Sequence, residues 1–327
     1  MTAQDYIQSK LDDLKQPLGL PKPASDTELV EAIFKLVMSK KFRKYSCNDQ
    51  LVQDIRKAIK LSVKAGKPIN FTFLHGAYKL WSLDEAPEAD WAELFSAMYY
   101  TAWLKPICEI YKPGVWFDYF VDDLVLPKLH TCSLEDSQRY RKSYQAVLDF
   151  LKVYQPANFK MTITGVGEQF ESPEAFDIKL GSDINRFLAN LNGAATVLND
   201  ERATMIDLNV KETPELAKDP EWRQKNAVVH DAYINITKRE TNYHWQPNKI
   251  KVFTQQLASG TFIAVGSTKD SVAKFWVGVG ALKPRDDSFR QIILTPKQLQ
   301  DTRFDFEAVR LDGLDGKNFK RVRVLAA

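Results

Sequence analysis

Within residues 108–151 the hydrophobic period changes twice, and no other feature constrains the fold as much. A helical pattern stops at Lys112-Pro113-Gly114, where proline cannot continue a helix and glycine favours its end. Residues 115–121 then read Val-Trp-Phe-Asp-Tyr-Phe-Val, an aromatic run of strand length. Asp122 and Asp123 stand where that run ends, and a second helix opens near Ser133, a residue type suited to capping it. Strands separated by helices make a βαβ rhythm, which predicts a mostly parallel sheet.

The rhythm recurs on both sides. Residues 68–74, Pro-Ile-Asn-Phe-Thr-Phe-Leu, alternate as a strand should, and residues 159–164 read as a buried strand. Between them lie helical patterns over 90–112, with Trp91, Leu94, Phe95 and Met98 on its core face, and over 134–154. Pro106 is expected to kink or divide the first of these. Residues 1–66 are wholly helical in pattern: Leu29, Ile33, Leu36 and Val37 follow Ser25-Asp26, and Leu51, Ile55, Ile59 and Val63 follow Asn48-Asp49. Residues 171–245 are helical again. Short strand signals at 250–253, 261–266, 274–279, 289–294 and 319–324 predict an antiparallel portion at the end. The predicted fold is α/β: a Rossmann-like, mostly parallel sheet with a helical N-terminal layer (1–66) and a strand-rich C-terminal portion. Residues 67–327 form the catalytic-type part, and the whole is read as one continuous domain.

Charge narrows the partners. Lys and Arg number 45 against 42 Asp and Glu, and they interleave, so nucleic acid is not an expected partner. No run approaches 18 consecutive apolar residues and the first residues lack the apolar core of a signal peptide. The expectation is a cytoplasmic protein with no membrane partner. Cys47, Cys108 and Cys132 are odd in number and far apart, and are read as free thiols in a reducing compartment.

In an open α/β sheet, ligands bind beyond the carboxyl ends of the strands, which points to the loops after 74 and after 121. The first carries His75 and Lys79; the second carries Asp122 and Asp123. Imidazole titrates near working pH and suits a general base, although a loop histidine is commonly only a surface residue. A lysine there either pairs with phosphate or attacks a carbonyl. The paired aspartates are a turn with solvated carboxylates or a site, and as a site they suit Mg²⁺ or Mn²⁺ in glycosyl or phosphoryl transfer. The four histidines lack zinc-site spacing, and no P-loop, G-x-S-x-G or H-E-x-x-H occurs. Gly165-Val166-Gly167 lacks the third glycine of a dinucleotide fingerprint. The run Lys40, Lys41, Arg43, Lys44 is read as a solvated helix end.

The order of motifs resembles the isocyanide (isonitrile) synthase family, which includes the pyoverdine-cluster and dityrosine biosynthesis proteins. That family has a strand beginning P-I, a loop of type P-A-F-P-x-K-S, a helix opened by P-D-x-x-E, then I-x-x-I-Y-x-P-G-A, a strand, S-D-G, and a helix with a tyrosine. The corresponding segments here are Pro68-Ile69, Leu74-His75-Gly76-Ala77-Tyr78-Lys79, Pro87-Glu88-Ala89-Asp90-Trp91-Ala92-Glu93 and Ile107-Cys108-Glu109-Ile110-Tyr111-Lys112-Pro113-Gly114. They are followed by Val121-Asp122-Asp123 and by Tyr140 or Tyr144. Arg186-Phe187-Leu188 is similar to the family's R-F-L, and Ile250-Lys251-Val252 to its I-R-L-S-I-H strand. The similarity covers about residues 66–255. Departures are the loss of the K-S loop, Val-Asp-Asp in place of S-D-G, and Thr254-Gln255-Gln256 where the family has histidine.

The resemblance implies a reaction of an amino acid with ribulose 5-phosphate, in which the amino nitrogen gains one carbon and becomes an isocyanide, with no cofactor. It implies cations for the sugar phosphate and an acid/base pair for imine formation. Lys79 would serve phosphate or carbonyl, with Arg186, Arg239 and Lys238 as further phosphate ligands. Asp122 or Asp123 would hold the ammonium or transfer protons, with His75 as a further acid/base group. A 2-oxoglutarate-dependent oxygenase is the implied pathway partner. The alternatives are the metal-dependent transferase at Asp122-Asp123, and a non-catalytic accessory protein on the same scaffold.

Overall fold

The structure is a computed structural model that describes residues 1–43, 45–75, 83–129, 132–190, 218–243, 245–254, 260–266 and 272–326. Three helices come first: α1 (Ala3–Lys15), α2 (Asp26–Val37) and α3 (Asp49–Lys64). Each is opened by a side-chain cap, from Thr2, Ser25 and Asn48, and each turns one apolar stripe inward. The basic run after α2 contributes a cap of its own, because Arg43 donates through Nε and Nη2 to the Met38 carbonyl at 3.0 and 2.7 Å.

The βαβ part follows as β1 (Ile69–His75), α4 (Trp91–Ile110), β2 (Val115–Val121), α5 (Leu134–Leu151), β3 (Phe159–Gly165), α6 (Pro173–Asn190) and α7 (Pro220–Ile236). A π-helical turn, Thr237–Thr241, leads towards β4 (Lys249–Phe253), which pairs with the short β5 (Ile263–Ala264). The strands lie parallel in the order β3-β2-β1-β4-β5. The predicted parallel α/β sheet is therefore present, and the last two of its strands come from the stretch expected to be antiparallel.

That stretch also supplies a second, mixed sheet: β6 (Val279–Arg285), β7 (Ser288–Leu294), β8 (Phe304–Ala308) and β9 (Arg321–Leu325), ordered β7-β6-β9-β8. Here β6 and β9 run parallel, so the portion is not purely antiparallel. Residues 272–277 form a short 3₁₀ segment whose Phe275 and Trp276 enter the core, so most of the strand expected over 274–279 is not a strand. A short helix, α8 (Pro296–Asp301), joins β7 to β8.

The central element is α4. It runs unbroken through Pro106, so that residue neither divides nor ends it. Trp91, Phe95, Tyr100, Trp103 and Leu104 are buried in a single cluster that reaches from Ala3 to Val324 and includes Phe71, Phe73, Phe117 and Tyr119 of the sheet. At its N-terminus Asp90 accepts from the Ala92 amide at 2.5 Å and from the Gly280 amide of β6 at 3.1 Å. A Cβ on Gly280 would lie 2.4 Å from the Trp91 backbone, so glycine lets the second sheet sit directly on the helix start. Among the described residues no helix is long and apolar enough to cross a membrane. The three cysteines are not joined to one another by disulfides, and burial pushes the Cys108 thiol up to about 12.

Candidate active site

The two faces of the parallel sheet differ in kind. On one, Phe71, Phe73, Phe117 and Tyr119 pack into the α4 cluster. The opposite pleat of β2 carries Trp116, Asp118 and Phe120, and Phe120 packs beneath α6 and α7 with Phe176, Leu180, Ala232 and Ile236. This second face is only partly apolar. In register across it stand Thr162, Asp118, Thr72 and Lys251, and one step nearer the strand starts stand Lys160, Trp116, Asn70 and Lys249.

Asp118 has no exposed surface, and its carboxylate is met by hydroxyls from three directions. Thr162 and Thr164 donate to Oδ1 at 2.5 and 2.7 Å, and the Tyr243 hydroxyl donates to Oδ2 at 3.0 Å. Thr162 in turn accepts from the Trp116 indole at 2.8 Å. A buried carboxylate is tolerated only when so supplied with donors. Tyr243 stacks on Phe120 with ring centroids 5.5 Å apart, and its other neighbour is Lys249, whose Nζ lies 3.0 Å from the ring centroid. Lys249 is 6% exposed, its Nζ has no hydrogen-bond partner among the described residues, and burial holds its ammonium down at about 8, with Asp118 opposing.

At the carboxyl end of β2, Asp122 and Asp123 diverge. Asp122 keeps some exposure, and its Oδ1 accepts from the Tyr233 hydroxyl of α7. Burial raises its carboxyl to about 7, the Tyr233 hydrogen bond opposes the rise, and the Asp123 charge adds to it. Asp123 is turned instead towards β3 and α5. It accepts from the Leu124 amide at 3.0 Å, the Gly167 amide at 3.3 Å and Arg141 Nη1 at 3.2 Å. Burial raises its carboxyl as well, against those donors. Gly165 makes room for it, since a Cβ there would fall 2.0 Å from Asp123 Oδ2. Asp123 is thus held by several donors as an anchor for the turn, whereas the Asp122 carboxylate is met by the Tyr233 hydroxyl.

The remaining predicted residues separate into groups. His75 ends β1 with its Cα paired to Val121, the last residue of β2 and the one before Asp122. Lys79 lies outside the described residues. Arg186 and Arg239 are brought together, but around a carboxylate: Asp183, 4% exposed, is 3.1 Å from Arg186 and 3.4 Å from Arg239, and Asn235 donates to it at 2.6 Å. Arg239 also pairs with Glu240 at 2.7 Å. Lys238 faces elsewhere. Its Nζ is 5.6 Å from the Trp245 ring centroid, and Lys251 lies 4.6 Å from the same ring. Lys249 and Lys251, with Lys57, Asp54 and Trp245, line a cavity of about 180 Å³ between α3 and β4.

Asp118, Tyr233, Tyr243 and Lys249 are functional candidates that sequence reasoning missed. The signal was an aspartate centred in an aromatic strand, together with the alternations Thr-Ile-Thr and Lys-Ile-Lys on its neighbours. A divalent cation at Asp122-Asp123 would need both carboxylates aimed at one point, and they are aimed at different elements. Among the described residues no group of three or more His, Cys, Asp and Glu is placed to hold a metal ion.

No protein-family model matches the sequence, and no curated protein matches it. Among solved structures, the PvcA protein from Pseudomonas aeruginosa has a similar fold, with a TM-score of 0.57 at 14% sequence identity. The match covers 91% of this chain and 99% of that one, so both the parallel sheet and the regions flanking it take part.

Proposed function

We propose that the chain is an isocyanide-synthase-like enzyme that converts the amino group of an amino acid to an isocyanide, with ribulose 5-phosphate as carbon donor. The observation that carries this reading is Asp122. It sits at the carboxyl end of a central parallel strand, hydrogen-bonded by Tyr233, with a carboxyl raised to about 7. Forming an imine and cleaving a carbon–carbon bond both require a group that holds and gives up a proton near neutrality. The order of family-like motifs along residues 66–255 and the whole-length likeness in fold support the same reading. Lys79 and His75 are proposed to share this work, with Lys238 as a phosphate ligand, and the isocyanide product suits a 2-oxoglutarate-dependent oxygenase as the next enzyme.

The test is incubation with ribulose 5-phosphate and each amino acid in turn, followed by mass spectrometry. Consumption of both partners with an isocyanide product is expected, and consumption of neither overturns the proposal. One observation favours a second reading, a non-catalytic accessory protein. Arg186 and Arg239, taken as phosphate ligands, are already matched by Asp183 and Glu240, so a phosphate there would have to displace a buried carboxylate. That reading predicts tight binding of an amino acid with no turnover.

A further inference from the structure

Lys249 has no place in the reaction residues assigned above, yet its setting is unusual for a lysine. The side chain is more than nine-tenths buried at the start of β4, and its Nζ finds no hydrogen-bond partner among the described residues. Asn70, its neighbour across the β1–β4 ladder, likewise has a buried Oδ1 without a hydrogen-bond partner. A buried polar group left unpaired costs free energy, so a fold keeps one where a ligand completes it or where chemistry needs it. The Tyr243 ring supports the amine from one side, and that ring is itself fixed by Asp118. Lys249 also lines the cavity shared with Lys57, Lys251 and Trp245. At about 180 Å³ the cavity lies below the usual range of roughly 300–1,000 Å³ for drug-sized ligands, which points to a small metabolite.

We propose that Lys249 is an imine-forming lysine, and that its substrate is a small sugar phosphate whose ketone or aldehyde carbon reaches Nζ while Lys251 and Lys57 hold the phosphate. Burial lowers the ammonium to about 8, so the unprotonated fraction near neutral pH is far larger than an ordinary lysine has, and it is this fraction that acts as the nucleophile. In the step, the nitrogen lone pair adds to the carbonyl carbon and forms the C–N bond. The carbonyl oxygen then leaves as water, carrying the two hydrogens lost from nitrogen, and the C=N bond remains. No oxidant or reductant is consumed. Tyr243 and Asp118 are positioning residues that hold the amine against the ring. The inference deepens the proposed function, whose carbon donor is a keto sugar phosphate, and rests on that reading for the donor's identity alone.

The test is reductive trapping. The full-length protein is mixed briefly with ribulose 5-phosphate, ribose 5-phosphate or dihydroxyacetone phosphate, reduced with borohydride, and analysed by intact mass and peptide mapping. At least one of these sugars is expected to give a single adduct on Lys249. Lys249→Met abolishes it while keeping a cooperative melt, and Lys251→Met raises the sugar concentration needed by about tenfold, as loss of one charge-assisted phosphate contact implies. Absence of any Lys249 adduct across all three sugars overturns the proposal, as does equal labelling of the parent and Lys249→Met. The two readings fail separately. An adduct on Lys249 with no amino acid consumed removes the isocyanide reading alone, whereas isocyanide formation by Lys249→Met at the parental rate removes this one alone.

Discussion

Asp122 and Lys249 are both held away from their ordinary protonation behaviour by burial, and the two shifts have opposite consequences for stability. The Asp122 carboxyl is raised from 3.8 to about 7, so between those values the native state holds a proton that the unfolded chain has lost. Stability contributed at this position therefore falls as pH rises through that window. Asp122→Asn removes the dependence, and if Asp122 is the acid/base group it also removes the limb near pH 7 from the pH–rate profile. A limb that survives the substitution assigns it to another group. Lys249 is lowered from 10.5 to about 8, so the unfolded chain binds the extra proton between those values and native stability rises with pH across them. Below about 8 the full cost of burying the ammonium is present. Lys249→Met is accordingly expected to be more stable than the parent at pH 7, by about 1–3 kcal/mol, with the difference shrinking between pH 8 and 10.5. Thermal melts across that range check the sign. At this scale the sequence was only half legible. Two adjacent aspartates advertise themselves, but nothing local separates the one wrapped by Arg141 and backbone amides from the one left with a single tyrosine. Asp118 became a candidate only when parallel register set Thr162 and Thr164 beside it.

Among the elements, those with strong local signals were read correctly. The segment from Lys112 to Ser133 gave its helix stop, its strand over Val115–Val121 and its helix cap, because proline, glycine and serine act within a few residues of where they sit. Pro106 misled because it lies inside a helix whose packing against sheet and neighbouring helices outweighs one lost hydrogen bond. The family-like segment Pro87-Glu88-Ala89-Asp90-Trp91-Ala92-Glu93 has a structural explanation. Asp90 and Glu93 form the capping box of α4, Glu93 is fully buried, and Tyr140 of α5 donates to it at 3.1 Å. Asp90→Ala would remove the cap and strand the Gly280 amide, at an expected cost of about 2–4 kcal/mol. The urea midpoint should fall with an unchanged slope. Asp90→Asn, which keeps an acceptor, should lose much less.

For the whole molecule, α/β class, parallel sheet and helical N-terminal layer followed from the periodicities alone. The error lay in dividing the C-terminal strands. Residues 249–253 and 263–264 extend the first sheet while those from 279 onward build the second, and strand membership depends on contacts between segments far apart in sequence. One consequence of the central helix belongs to synthesis. Most of α4 is apolar on every side, and part of its cover comes from β6 and β7, whose residues are made long after it. As the chain leaves the ribosome, α4 must wait for more than half of the protein to follow before its last face is sealed. The interval makes the nascent chain a substrate for holding chaperones. A chain ended at residue 278 is expected to preserve that exposed intermediate, binding a hydrophobic dye and sedimenting as aggregate where the full chain does neither.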